Sequence, residues 1–243
     1  MDISQKFLVV SPTREKTLED FYENTLLGKS LKLKTPFDIE LCIFLDNKKG
    51  LCECNNLAIE KLSVQEPKIV VFVHDDVAIY DYYWPLRVFE ALKKFDIVGV
   101  AGNAKHEINY PNWAFKAVED NKFVWDDDKF LAGSVLHGVN WPAEVFSYFG
   151  EYEKQVVNLD GLFIATTSNL LLEKNLRFDE LFDFHFYDAD FCKSAVTKDC
   201  SLGTFSLSIM HQLKEGNNFM SKEYYEAYVK FVKKWKNYGL INN

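Results

Sequence analysis

Two acidic constellations hold the residues whose types and spacing could do chemistry. The first is His74-Asp75-Asp76, which ends the β-branched run 69–73 within KIVVFVHDDVAIYD (residues 68–81) and precedes a second apolar run, 77–79. An unbroken apolar run bounded by polar residues fits a strand buried on both faces of a parallel sheet. Ligands of open α/β sheets bind beyond the carboxyl ends of the strands, so the imidazole and carboxylates are placed to hold a cation or a sugar nucleotide. Hard oxygen ligands with imidazole suit Mg²⁺ or Mn²⁺, ions that bridge nucleotide phosphates. Taken alone, such a cluster is equally well explained as a turn or a helix N-cap.

The second constellation is FDFHFYDADFCKSA, residues 182–195, where Asp188 and Asp190 stand near the start of an expected helix over 188–196. The helix dipole accounts for one carboxylate there. Two carboxylates beside His185 and a run of aromatic residues exceed what a cap needs, and a carboxylate against an aromatic wall can act as general base towards a hydroxyl. His211 follows a strand expected over 202–210 and is a second strand-end histidine in a chain with only five. Within VVNLDGLFIAT (156–166), read as one strand, Asp160-Gly161 calls for either a bulge or the close approach of a ligand.

The elements that must position these groups alternate. A strand over 6–10 breaks at Ser11-Pro12-Thr13, a helix covers 15–33, a strand over 37–45 ends at Asp46-Asn47, and a helix covers 51–62 before the strand that ends in His74. This order begins a doubly wound α/β sheet whose three strand ends lie side by side, a nucleotide pocket. Neither a dinucleotide fingerprint nor a P-loop run is present, so a metal must be the main holder of phosphates. A helix over 82–95 with Pro85 in its first turn and a strand over 96–101 come next. Residues 105–149 show no clean period and read as an irregular functional segment, its Trp113, Trp125 and Trp141 being core residues or sugar platforms. Ser168 is expected to cap a short helix to residue 173. The chain closes with a helix over 221–238 carrying the stripe Tyr224, Tyr228, Phe231, Trp235 and the lysines 230, 233, 234 and 236. That helix either docks on the domain or lies on anionic lipid.

Bulk properties narrow the classes. A chain of 243 residues suits one sizeable domain, and a net charge of −8 argues against nucleic acid as partner. Five cysteines, an odd number in mostly apolar contexts, point to a reducing compartment, and Cys52-x-Cys54 reads as packing rather than a zinc site. No apolar run approaches the roughly 20 residues needed to span a bilayer, and no signal-peptide core is seen. The expectation is a cytoplasmic protein, with peripheral contact at the inner face of the membrane through the C-terminal helix.

In three places the residues resemble the metal-dependent inverting glycosyltransferases of the nucleotide-diphosphosugar (GT-A) type, family 2-like, in the bacterial branch with an FVHDDV motif. The places are LCECNNLAIEKL with VFVHDDV, LDGLFIAT, and FHFYDADFC, and the similarity runs from Phe7 to about His211. It implies a single, mostly parallel doubly wound sheet over residues 1–215, with a nucleotide-binding half (1–103), an acceptor half (104–215) and a C-terminal helical extension (216–243). It implies Mn²⁺ or Mg²⁺ held by Asp76 and His211, and nucleotide contacts at Ser11, Asp46, Asn56, His74 and Asp75. Asp188 becomes the catalytic base, and Asp160, Gly161, His185 and Asp190 fall on the acceptor side. Two departures stand out: His74 replaces the family's first Asp, and Ser194 stands where many relatives have Arg. The implied substrates are a nucleotide-sugar donor, a UDP-sugar foremost, and a saccharide or lipid-linked saccharide acceptor. A two-metal phosphoesterase and a non-catalytic sugar or nucleotide-binding domain are the rival readings.

Overall fold

Along the first strand the side chains divide. Phe7 and Val9 enter one apolar core, Leu8 and Val10 another, and the same split runs through Ile69, Val71 and Val73 against Val70 and Phe72. A sheet buried on both faces therefore lies between two cores, which is why its strands are written as unbroken apolar runs. The computed structural model describes residues 5–120, 122–140, 142–213 and 221–242.

The first half runs β1 (Lys6–Pro12), α1 (Leu18–Asn24), α2 (Leu26–Ser30), β2 (Asp38–Phe44), α3 (Leu51–Glu60), β3 (Lys68–Val73), β4 (Val77–Ile79), α4 (Trp84–Ala91), β5 (Ile97–Gly99) and β6 (Ala101–Asn103). The single helix expected over 15–33 is two, because Thr25 leaves helical geometry (φ −88°, ψ 153°) and its side chain accepts from Gly28 N–H to cap the second. The segment expected to be irregular holds four strands, β7 (Phe115–Glu119), β8 (Lys122–Trp125), β9 (Leu131–Gly138) and β10 (Val145–Gly150). After it come β11 (Gln155–Val156), β12 (Asn158–Leu159), β13 (Phe163–Thr167), α5 (Ser168–Glu173), α6 (Tyr187–Val196), β14 (Leu202–Thr204), β15 (Ile209–Gln212) and α7 (Lys222–Asn242). Thr167, rather than Ser168, caps α5, and the Ser168 hydroxyl accepts from Lys68 N–H instead.

The main sheet has the order β11-β14-β5-β13-β3-β1-β2. β1 pairs in parallel with β2 and β3, and β5 with β14, while β13 and β11 run against their neighbours. The expected mostly parallel α/β sheet is thus present, and a second sheet not anticipated from sequence, β12-β6-β9-β15-β4 with β10 on β9, packs beside it. The chain changes sheets within a few residues between β3 and β4, β5 and β6, β11 and β12, β12 and β13, and β14 and β15, and over longer connections between β4 and β5 and between β10 and β11. Three runs read as single strands (96–101, 156–166 and 202–210) are divided by these crossings, and His211 lies within β15 rather than beyond its end.

α7 buries Phe231 and Trp235 in the core shared by α3, α5 and α6, and its Tyr224 and Tyr228 hydroxyls donate to the carbonyls of Pro111 and Asn109. The stripe read from sequence is the docked face. No helix among the described residues is long and apolar enough to cross a membrane.

Candidate active site

His74-Asp75-Asp76 is the turn by which the chain leaves the main sheet for the second one, and its backbone is tied on three sides. His74 N–H donates to Leu162 O (3.2 Å), Leu27 N–H to Asp75 O (3.1 Å) and Gln212 N–H to Asp76 O (2.9 Å). The last bond fixes β15 beside the turn and brings His211 within reach. Asp76 Oδ1 lies 3.5 Å from His211 Nε2 and 3.9 Å from His74 Nδ1. One ligand atom from each of the three falls within 4.8 Å of the others, the sole such grouping of three among the described residues.

Another crossing, Asp160-Gly161-Leu162 between β12 and β13, meets this turn from the other side. Asp188, in the first turn of α6, accepts from Gly161 N–H (3.0 Å) at Oδ2 and from Ala189 N–H (2.9 Å) at Oδ1. The Tyr187 hydroxyl donates to Gly161 O (2.7 Å) and contacts His74 Nε2 (2.7 Å). The glycine is required by these neighbours rather than by a bulge, since a Cβ here would lie 2.3 Å from the Tyr187 hydroxyl oxygen and 2.8 Å from Asp188 Cβ. Removal from water, and then the charge of Asp160, push the Asp188 carboxyl up to about 7 against the pull of its N–H donors. Asp160 is itself raised by burial, with His211, Leu162 N–H and the Trp113 indole pulling the other way. Two interacting carboxyls beside a carboxylate-imidazole cluster make a site able to hold a cation and to accept a proton near neutral pH.

The model of the "Glycosyltransferase like family" matches residues 15–235. The chain belongs to that family. Its enzyme class is therefore that of the glycosyltransferases. Among solved structures it resembles S. aureus TarS residues 1–349 in complex with UDP, at 14% identity and a TM-score of 0.54, covering 94% of this chain and 64% of that one. The longer S. aureus TarS structure is 16% identical with a TM-score of 0.52, covering 94% and 39% respectively. A197 from STIV aligns over 87% of both chains at 12% identity and a TM-score of 0.48. The chain thus spans less than two thirds of the TarS chains, and at these identities the likeness speaks to the GT-A fold alone. No curated protein matches the sequence.

Several candidate residues of this glycosyltransferase family member lie outside the three-ligand group. Ser11 lies at the carboxyl edge of β1, fully buried, its hydroxyl without a hydrogen-bond partner among the described residues. Asp46, at the end of β2, is exposed, takes a positive φ of 44° and pairs with Lys48 at 3.3 Å. Asp75 belongs to the turn itself, and its carbonyl anchors α2. His185 packs its ring edge-on to Phe184 and Tyr224, and burial lowers its pKa. Asp190 faces away from the cluster: fully buried, it takes Lys234 Nζ at 2.6 Å and Trp235 Nε1 at 2.9 Å from α7. Trp113 is buried beside Asp160, Trp125 is 52% exposed on β8, and Trp141 lies outside the described residues.

Asn56 holds the segment leading to α6. Its amide donates to Phe178 O (2.8 Å) and Glu180 Oε1 (3.0 Å) and accepts from Phe178 N–H (3.0 Å). Asn56→Ala is expected to lower unfolding free energy by about 1–3 kcal/mol, because a buried peptide group loses both partners. Urea denaturation monitored by circular dichroism measures this loss.

Two residues near the cluster were not singled out from sequence. His137 on β9 stands opposite His211 in the β9/β15 register, its ring 6.1 Å from that of His211, with Nδ1 3.0 Å from Ser147 Oγ. It sat in the segment read as irregular, where no strand phase pointed it anywhere. Tyr187 adjoins Asp188 in sequence, and no local spacing points its hydroxyl at His74.

Proposed function

We propose that the protein moves a sugar from a nucleoside-diphosphate sugar, a UDP-sugar foremost, to a hydroxyl of a saccharide or lipid-linked saccharide, inverting the anomeric carbon. The observation that carries this reading is the meeting of a three-ligand group with a carboxylate whose pKa is pushed up to about 7, at the carboxyl edge of a nucleotide-type sheet. TarS, of like fold, binds UDP in its crystal structure, which supports uridine as the nucleoside.

His74, Asp76 and His211 would hold the cation, and two imidazoles with one carboxylate suit Mn²⁺ better than Mg²⁺, which favours oxygen. Bound there, it would neutralise charge developing on the departing diphosphate. Asp188 receives the proton of the acceptor hydroxyl as that oxygen forms its bond to the anomeric carbon. The bond from that carbon to the diphosphate breaks, and the nucleoside diphosphate leaves with the electron pair. Attack from the opposite face inverts the carbon without a covalent enzyme intermediate. A two-metal phosphoesterase is less well supported: Asp190 pairs with Lys234 on α7, and among the described residues only one three-ligand group forms.

Isothermal titration with UDP, with and without Mn²⁺, on the wild type and on Asp76→Ala tests the reading. Binding that requires Mn²⁺ and falls at least about 100-fold in the variant is the expected result. Absence of binding by any nucleoside diphosphate under any metal condition would overturn it.

A further inference from the structure

We propose that Tyr187 is a positioning residue that fixes the tautomer of His74 and locks this histidine in register with Asp188; the metal part of the inference rests on the proposed cation site. The Tyr187 hydroxyl lies 2.7 Å from Gly161 O, a group that only accepts, so the phenolic hydrogen points there. The hydroxyl oxygen also lies 2.7 Å from His74 Nε2. With its hydrogen already committed, it can only accept, so His74 carries its proton on Nε2. In the neutral ring this leaves the lone pair on Nδ1, the nitrogen 3.9 Å from Asp76 Oδ1 and on the side of the three-ligand group.

A histidine that binds a metal through one nitrogen is commonly oriented by a hydrogen bond from the other, and loss of that partner weakens metal affinity about 10–100-fold. Here the partner is a phenol buried to 5% exposure, whose ring lies 6.0 Å from that of His74. The second half of the device is Gly161. Its carbonyl takes the Tyr187 hydroxyl and its N–H goes to Asp188 Oδ2 at 3.0 Å. One residue thus joins the orienter of His74 to the carboxylate, with no room for a side chain between them.

Nitrogen-15 NMR of the metal-free protein at about pH 8, where an unperturbed imidazole is neutral, reads the tautomer directly. The wild type should show His74 protonated at Nε2. In Tyr187→Phe the ring should become a mixture of tautomers, and the Mn²⁺ dissociation constant should rise about 10–100-fold by titration calorimetry. Gly161→Ala, which displaces the same hydroxyl by a different route, should reproduce both changes, and circular dichroism checks that each variant folds. A wild-type His74 protonated at Nδ1, or a Tyr187→Phe variant with unchanged tautomer and unchanged Mn²⁺ affinity, overturns the proposal. If the wild type binds no Mn²⁺ at all, the cation reading fails, and the tautomer of wild type and variant still decides the role of Tyr187.

Discussion

Asp188→Asn is expected to lower kcat by about 10²–10⁴-fold, the range associated with loss of a positioned general base. UDP affinity should stay within about threefold, since Asp188 accepts from the N–H groups of Gly161 and Ala189 and is not one of the three residues of the cation cluster. The wild-type rate should carry the signature of the same group. Asp188 must be ionised to accept a proton, so kcat/KM should rise tenfold per unit below an apparent pKa of about 7 and level off above it. A pH profile of kcat/KM, flat from pH 5 to 9, would assign the proton to some other group.

Stability should move in the opposite direction, and the sign follows from linkage. The folded-state pKa of Asp188 is raised, so the folded protein binds its proton more tightly than the unfolded chain does. Its stabilising contribution is complete below the unfolded value of about 4 and disappears as pH rises through about 7. Asn cannot ionise. Between pH 5 and 8 the stability of Asp188→Asn relative to wild type should therefore improve, by an amount on the order of 2 kcal/mol, reduced by the partial solvent exposure of the residue. Denaturant titrations of both proteins across that range give the difference, and a constant difference would place the carboxylate in ordinary solvent.

What the sequence made legible follows from how burial is written. β3 is buried on both faces, so it appears as an unbroken β-branched run, and the polar turn after it is conspicuous. The docked face of α7 repeats at helical spacing and was read for the same reason. The sheet crossings were hidden because the apolar run 96–101 continues through the switch from β5 to β6 without a polar break. Strands of two or three residues are too short to show a period. β7, β8 and β10 are largely half-exposed and punctuated by Asn, Asp and Gly, so they resembled loop. The cluster was readable in its parts but not in its wiring: Tyr187 meets His74 across 113 positions, and nothing local announces such a bond. Asp190 shows the converse. Two positions from Asp188 it looked equally chemical, yet the turn of α6 carries it to the opposite side, towards α7.

That placement underlies the second large effect: Lys234→Met should destabilise the protein by about 3–5 kcal/mol, the usual consequence of removing one partner from a buried ion pair. Lys234 Nζ reaches both Asp190 oxygens (2.6 and 2.8 Å) and Asp179 Oδ2 (2.7 Å). The two partners respond unequally. Burial still raises the Asp190 pKa despite the ammonium, whereas the Lys234 pKa is raised because two carboxylates outweigh its own desolvation. The carboxylate is fully buried and the ammonium side chain 28% exposed, so the carboxylate bears the larger cost of leaving water. With Met at position 234, Asp190 would keep only the Trp235 indole among the described residues. The deficit should shrink as pH falls, because a neutral carboxyl tolerates the site, and Asp190→Leu combined with Lys234→Met should recover most of the loss by packing alone. A double-mutant cycle in urea measures each term. If Lys234→Met costs less than about 1 kcal/mol at pH 8, the pair behaves as a solvated surface contact, and α7 then owes its seat to the aromatic stripe rather than to this clamp on α6.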